Sequence, residues 1–191
     1  MPERYIVWSK MQAEAGEPLA AIIARKEAER MAGDGVFFWG IGSALGHAVI
    51  DAARLAGGSL PVLWSVMKSR PKAIDAAPAN VVRWTAYEDW TGREHRLPDH
   101  VLVTSRLARR DYHYALVCRS SVPLTLGDLG PFDPSACRTV GGKAPGASQV
   151  TALLQDCANH QAGTYRISFQ AELVEPWAVR LMRSTIHQVA A

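Results

Sequence analysis

Six tryptophans stand out among the side chains able to bind a ligand: Trp8, Trp39, Trp64, Trp84, Trp90 and Trp177. Three of them end or punctuate apolar, strand-like runs, in "RYIVWSK", "GVFFWG" and "LPVLWSVMK". An indole brings a large flat apolar face and one N–H donor, so it serves as core filler or as a stacking platform. Core packing is the ordinary role of each one singly, and their repetition at strand ends adds the stacking role. A second constellation is "VFFWGIGSALGHAVIDAARLAGG", Val36 to Gly58, in which an apolar strand passes Gly40, Gly42 and Gly46 into an alanine-rich helix. That order suits a loop cradling the diphosphate of a dinucleotide, and Ser65, Lys68 and Arg70 further on would suit the 2′-phosphate of NADP. The rest of the chain lacks further strand–helix–strand alternation, so the glycines are expected to serve tight turning and packing beside the sheet.

Other chemistries are excluded more directly. "TVGGKAPGAS" lacks two features of a Walker-type phosphate loop: Cys137 stands where a glycine is needed, and Ala144 where a hydroxyl must follow Lys143. No serine sits in GxSxG. In "EHRLPDH", Glu94, His95, Asp99 and His100 are not spaced to put two ligands on one helical face, so a solvated turn and no metal site are expected. Cys118, Cys137 and Cys157 are an odd, widely spaced set without CxxC, which predicts buried thiols and a reducing, cytoplasmic setting. The start "MPERYIVWSK" has no apolar signal core. The most apolar stretch is broken by His47, Asp51 and Arg54, so no membrane span is expected.

The elements that would carry these residues follow from pattern. With 191 residues, 48% hydrophobic and 20% charged, the chain suits one packed domain rather than disorder. Its net charge of +3 permits an anionic partner without requiring one. Strands are predicted at residues 4–10, 35–39, 60–69, 81–89 and 112–120, with another within 97–107. Helices are predicted at 17–33, where Pro18 opens and Gly33 closes an apolar stripe of Leu19, Ile22 and Ile23, and at 43–56. Residues 123–147, rich in Gly, Pro and Asp, read as a long loop. "GASQVTALLQDCANH" reads as a short helix capped by Ser148, "TYRISFQAELVEP" as a final strand, and "WAVRLMRSTIHQVAA" as a terminal helix or tail. Strands outnumber helices, which predicts an α+β fold on a mostly antiparallel or mixed sheet.

Four of these segments together resemble the PUA-like superfamily, which holds the EVE, YTH and ASCH domains. "RYIVWSK" is similar to the aromatic-rich opening strand of EVE-type domains, although Ser9-Lys10 reverses their usual Lys-Ser order. "MAGDGVFFWGIGS" resembles their second strand, introduced by Gly33-Asp34, and "LPVLWSVMKSRP" the next one, which runs out to a proline. "GASQVTALL" resembles their late motif, in which a Ser and a Gln precede an apolar run, but without its flanking arginines. The resemblance implies a single domain over residues 1–191. It would be a small, partly open β-barrel with flanking helices, a helical insertion at 43–58 and a long loop at 123–147.

It also implies a nucleic-acid-binding module, without cofactor, that takes a flipped-out or modified base of DNA or RNA between aromatic planes. Trp8, Trp39 and Trp64 would supply the planes, and Ser9, Ser43, Ser65, Ser148 and Gln149 would read the base edge. Lys10 would join this pocket, and Lys10, Lys68, Arg70 and Lys143 would meet phosphates. An ASCH-like scaffold further implies an alternative, a hydrolase of nucleosides or RNA. That would need Lys10 or Lys68 as base, with Tyr114, Thr104 or Glu172 as partner.

Overall fold

The structure, a computed structural model, describes residues 5–14, 16–41, 45–67, 81–106, 113–140, 151–155, 157, 163 and 165–183. In chain order these form β1 (Tyr5–Met11), α1 (Leu19–Ala32), β2 (Val36–Ile41), α2 (Gly46–Leu55), β3 (Leu60–Val66), β4 (Val81–Arg83), β5 (Ala86–Glu88) and β6 (Glu94–Arg96). There follow β7 (Thr104–Arg106), β8 (His113–Arg119), β9 (Gly130–Phe132), a 3-10 turn (Pro134–Ala136), β10 (Arg138–Thr139), β11 (Thr151–Gln155) and β12 (Tyr165–Met182). The α+β expectation holds: ten of these strands share one sheet, and β4 and β7 pair separately. The sheet does not close into a barrel. Its main path runs β10-β11-β1-β3-β12-β5-β6, with β8 and β9 also on β12 and β2 on β8.

β12 is the spine of the sheet. Its first half pairs antiparallel with β3 and β9, and its second half with β8 and β5. The expected terminal helix is therefore corrected, because residues 177–182 continue this strand; residues 184–191 lie outside the described residues. Pro176 reads as a strand terminator since it cannot donate to a ladder. Here it falls where the register with β8 shifts between Leu173 and Ala178, an irregularity that tolerates the missing donor.

A second correction concerns "TALLQ", expected within a helix. It is β11, between β1 and β10. Leu153 enters one cluster of buried side chains, and Ala152 and Leu154 another on the opposite face. Both faces of the strand are covered, so its apolar run lacks the alternation that marks a half-buried strand. The loop expected at 123–147 contains β9, the 3-10 turn and β10 in its described part. The stretch expected as one strand at 81–89 splits at Trp84 into β4 and β5, which join different sheets.

Three clusters fill the interior. Both helices pack on the first: α1 contributes Ile22 and Ile23, and α2 contributes Val49, Ile50, Ala52 and Ala53. The second lies under residues 84–103, on the other face of β2 and β8. The third lies on the other face of β1 and β3, covered by Phe132 and Cys137. Cys137 and Cys157 form a disulfide with Cα atoms 4.3 Å apart, and Cys118 is free and buried. The expectation of three separate thiols is thus corrected. Pairing of β10 with β11 folds a twenty-residue sequence separation back on itself, which spacing alone does not reveal.

α1 is held by a buried polar clamp. Lys26 Nζ lies 2.7 Å from Glu29 Oε2 and donates to Leu102 O at 3.1 Å, while the Leu102 amide donates to Glu29 Oε1. Glu29 also receives the Phe38 amide of β2, one residue before Trp39. Burial pushes the Glu29 carboxyl up and the Lys26 ammonium down, and their mutual attraction opposes both shifts. A buried pair of this kind is costly to break from one side only, about 3–5 kcal/mol. The clamp fixes β2 against α1, and with it the placement of Trp39.

Candidate functional site at the ends of β1 and β3

β1 and β3 are parallel neighbours, with Ser9 opposite Trp64 and Lys10 opposite Ser65 near their carboxyl ends. Successive side chains of a strand point to opposite faces, so these four residues divide in pairs. On the face toward the helices, register aligns Thr151, Ser9, Trp64 and Phe169 in one row across β11, β1, β3 and β12. On the other face stand Trp8, Lys10 and Ser65.

The helix-covered face is aromatic. Trp64 stacks on Phe169 with ring centroids 4.7 Å apart, and Trp39 meets it edge to face at 5.4 Å. Phe37 adds a tilted contact with Trp64 at 6.0 Å. Beside them in the row, Ser9 Oγ and Thr151 Oγ1 share a hydrogen bond of 3.0 Å. Trp64 is fully buried, and its Nε1 is the one buried side-chain nitrogen or oxygen among the described residues without a hydrogen-bond partner. A buried donor left unpaired costs roughly 1–3 kcal/mol, and native structures carry few of them.

The opposite face differs in this respect. Trp8 Nε1 donates to Ser65 Oγ at 3.1 Å, and the Trp8 ring packs on Tyr165 and Phe132 at 4.8 and 5.6 Å. Lys10 Nζ lies 5.3 Å from the centre of that ring, a cation–π distance. Burial pushes the Lys10 amine below its ordinary range.

The expected three-walled pocket is therefore corrected. Trp39, Trp64 and Ser9 share one face, whereas Trp8, Lys10 and Ser65 share the other, so a single planar ligand cannot touch all three indoles. The cause is the side-chain period of two along β1, combined with the β1–β3 register. Ser43, Lys68, Arg70, Lys143, Ser148 and Gln149 lie outside the described residues. Phe169 and Thr151 belong to the aromatic row but were not expected there. Phe169 gave no signal beyond a strand pattern, and Thr151 directly follows the "GASQV" segment.

Of the residues named for hydrolysis, Lys68 lies outside the described residues, and the register sets none of Tyr114, Thr104 or Glu172 opposite Lys10, whose neighbour in β3 is Ser65. Glu172 is opposite Pro61 and accepts from Ser59 Oγ, four residues along β3 from Ser65, which is about 13 Å of strand. Thr104 is in β7 opposite Arg83, and Tyr114 is in β8 opposite Ile41.

The glycine-rich stretch likewise does not build a dinucleotide cradle, because β2 pairs antiparallel with β8 and not with β3. Gly40 and Gly46 relieve close contacts. A Cβ on Gly46 would lie 2.8 Å from Tyr114 Cδ1, and one on Gly40 would lie 3.2 Å from Val103 Cγ1. In the "EHRLPDH" turn, His95 Nε2 lies 2.6 Å from Asp89 Oδ2, and Arg96 pairs with Asp99 on the surface. No group of three or more potential metal-ligating side chains occurs among the described residues, and no helix there is long and apolar enough to cross a membrane. Comparison of the chain with protein-family models, with curated proteins and with solved structures gives no match.

Proposed function

We propose that the chain is a nucleic-acid-binding module on a partly open PUA-like barrel, which reads a modified base at the aromatic row of Trp39, Trp64 and Phe169. The observation that carries this reading is the unpaired, fully buried Trp64 N–H inside an aromatic cluster. A flipped-out base has two apolar faces for the rings and edge acceptors for an indole N–H. Each stacked ring contributes about 1–3 kcal/mol. In the free chain Trp39 rests edge to face on Trp64, so the base enters as Trp39 gives way. The Ser9–Thr151 hydroxyl pair, on the same face, has a second O–H to offer the base edge. Lys68, Arg70 and Lys143 are assigned to phosphates, and neutralising any one of them should reduce the salt slope of binding by about one.

Tryptophan fluorescence titration with matched oligonucleotides, plain and modified at one base, tests the reading at a fixed salt concentration. Tighter binding of one modified oligonucleotide, lost in Trp64→Phe, supports it. Equal binding of all oligonucleotides by the native chain rejects base recognition, and no binding rejects the module. The second reading is a hydrolase on the same scaffold with Lys10 as base, whose amine burial pushes below its ordinary range. Turnover of nucleosides or RNA that disappears in Lys10→Met would carry it.

A further inference from the structure

We propose that the Cys137–Cys157 disulfide is a reducible latch that holds β11 against β1 and so regulates the site proposed above; the regulatory half rests on that reading. The bond joins the end of the 3-10 turn, just before β10, to the residue two beyond the end of β11. It therefore closes the stretch that contains β11, whose Thr151 shares the hydrogen bond with Ser9 beside Trp64. Cys137 also packs in the cluster of Trp8, Phe132 and Leu154, so the bond links the cover of one face of β1 to the far end of the strand that pairs with β1. β10 is two residues long and contributes only two register pairs to β11. A ladder that short does little by itself to hold the outer edge of β11, and the covalent link adds a restraint there to the packing of Ala152 and Leu154.

The accessibilities of the cysteines favour a clean two-state couple. Cys137 is 2% exposed whereas Cys157 is half-buried, so an external dithiol attacks Cys157 Sγ as its thiolate. The S–S bond breaks, and Cys137 leaves as a thiolate that takes up a proton. The second thiol of the reagent then attacks its own mixed-disulfide sulfur, which frees Cys157 and leaves the reagent as a cyclic disulfide. Two electrons and two protons pass to the protein. Cys118, the only other cysteine, sits in the helix-covered cluster, where burial pushes its thiol far up and keeps it out of exchange.

Hydrogen exchange followed by mass spectrometry, on air-oxidised and dithiothreitol-reduced protein, tests the latch without any ligand. Alkylation before and after reduction establishes the state of each cysteine. Amides of Thr151–Gln155 should exchange at least tenfold faster in the reduced chain, with those of β8 unchanged, and the Cys137→Ser/Cys157→Ser variant should match the reduced chain. Equal exchange in both states, or free thiols at both positions before reduction, overturns the latch. Binding of the modified oligonucleotide should weaken severalfold on reduction. Faster exchange with no oligonucleotide bound in either state retains the latch and removes the ligand it was proposed to regulate. Unchanged affinity despite faster exchange overturns the regulation alone.

Discussion

Trp8 and Trp64 occupy nearly the same level of neighbouring strands, and both are buried, yet one has its N–H paired and the other does not. Around Trp8, the sheet supplies an acceptor, Ser65, from the adjacent strand, and rings and an ammonium close on the indole. Around Trp64, three aromatic rings close on the indole and no acceptor faces its nitrogen. Both indoles are buried in aromatic contact, Trp8 with two rings and a lysine and Trp64 with three rings, and the satisfied N–H of Trp8 is the difference that bears on binding. A core tryptophan with a satisfied N–H has a complete structural explanation. One with an unsatisfied N–H retains a capacity that an incoming acceptor can use, which is why the proposed site is placed on the helix-covered face.

Removing either ring is the coarsest way to test this comparison and carries the largest effect. Trp8→Ala and Trp64→Ala should each lower stability by about 3–5 kcal/mol in urea unfolding, because both indoles fill core. Near-equal losses would show that packing does not distinguish the faces.

Ser65→Ala should make Trp8 resemble Trp64 by stranding its N–H, at a cost of about 1–3 kcal/mol. In Trp8→Phe the donor is gone, so adding Ser65→Ala there should cost less than in the native chain. A double-mutant cycle measures that coupling, and a coupling of zero would remove the 3.1 Å bond from the account.

Trp64→Phe should change stability by no more than about 1 kcal/mol, because lost volume and the relieved unpaired donor oppose each other. Discrimination between modified and plain oligonucleotides should disappear in the same variant. A loss of stability as large as that of Trp8→Phe would mean that the Trp64 N–H is satisfied in the free protein.

The smallest effect concerns Lys10. Its folded-state pKa lies below the unfolded value of about 10.4, so between the two the unfolded chain keeps a proton that the folded chain has released. Stability contributed by this group therefore rises with pH through that window. Unfolding of native and Lys10→Met chains, compared from neutral pH to about pH 10, should show the component in the native chain only.

Much of the framework was legible in the residues. β1, α1, β2, α2, β3 and β8 follow from β-branched and aromatic runs, from the stripe through Ile22 and Ile23, and from Pro18 and Gly33 at its ends. These are signals between residues a few positions apart. The misread elements are those whose state depends on distant partners. β11 is a strand because β1 and β10 flank it, and residues 177–182 remain in β12 because β8 and β5 receive them beyond Pro176. The candidate site was legible in the same uneven way: Trp39, Trp64 and Ser9 lie on one face, whereas Trp8, expected beside them, stands across the sheet.

The sequence by itself determined part of the candidate row: the indoles of Trp39 and Trp64 at strand ends and the hydroxyl of Ser9, but not Phe169. Alternation along β1 also sends Trp8 and Ser9 to opposite faces in any extended conformation. Only the tertiary structure decided which indole finds an acceptor and which two cysteines meet. The Trp8–Ser65 bond joins residues 57 apart, and the Ser9–Thr151 bond residues 142 apart. Such contacts depend on strand register, and register is set by the packing of the whole sheet rather than by any local run of residues.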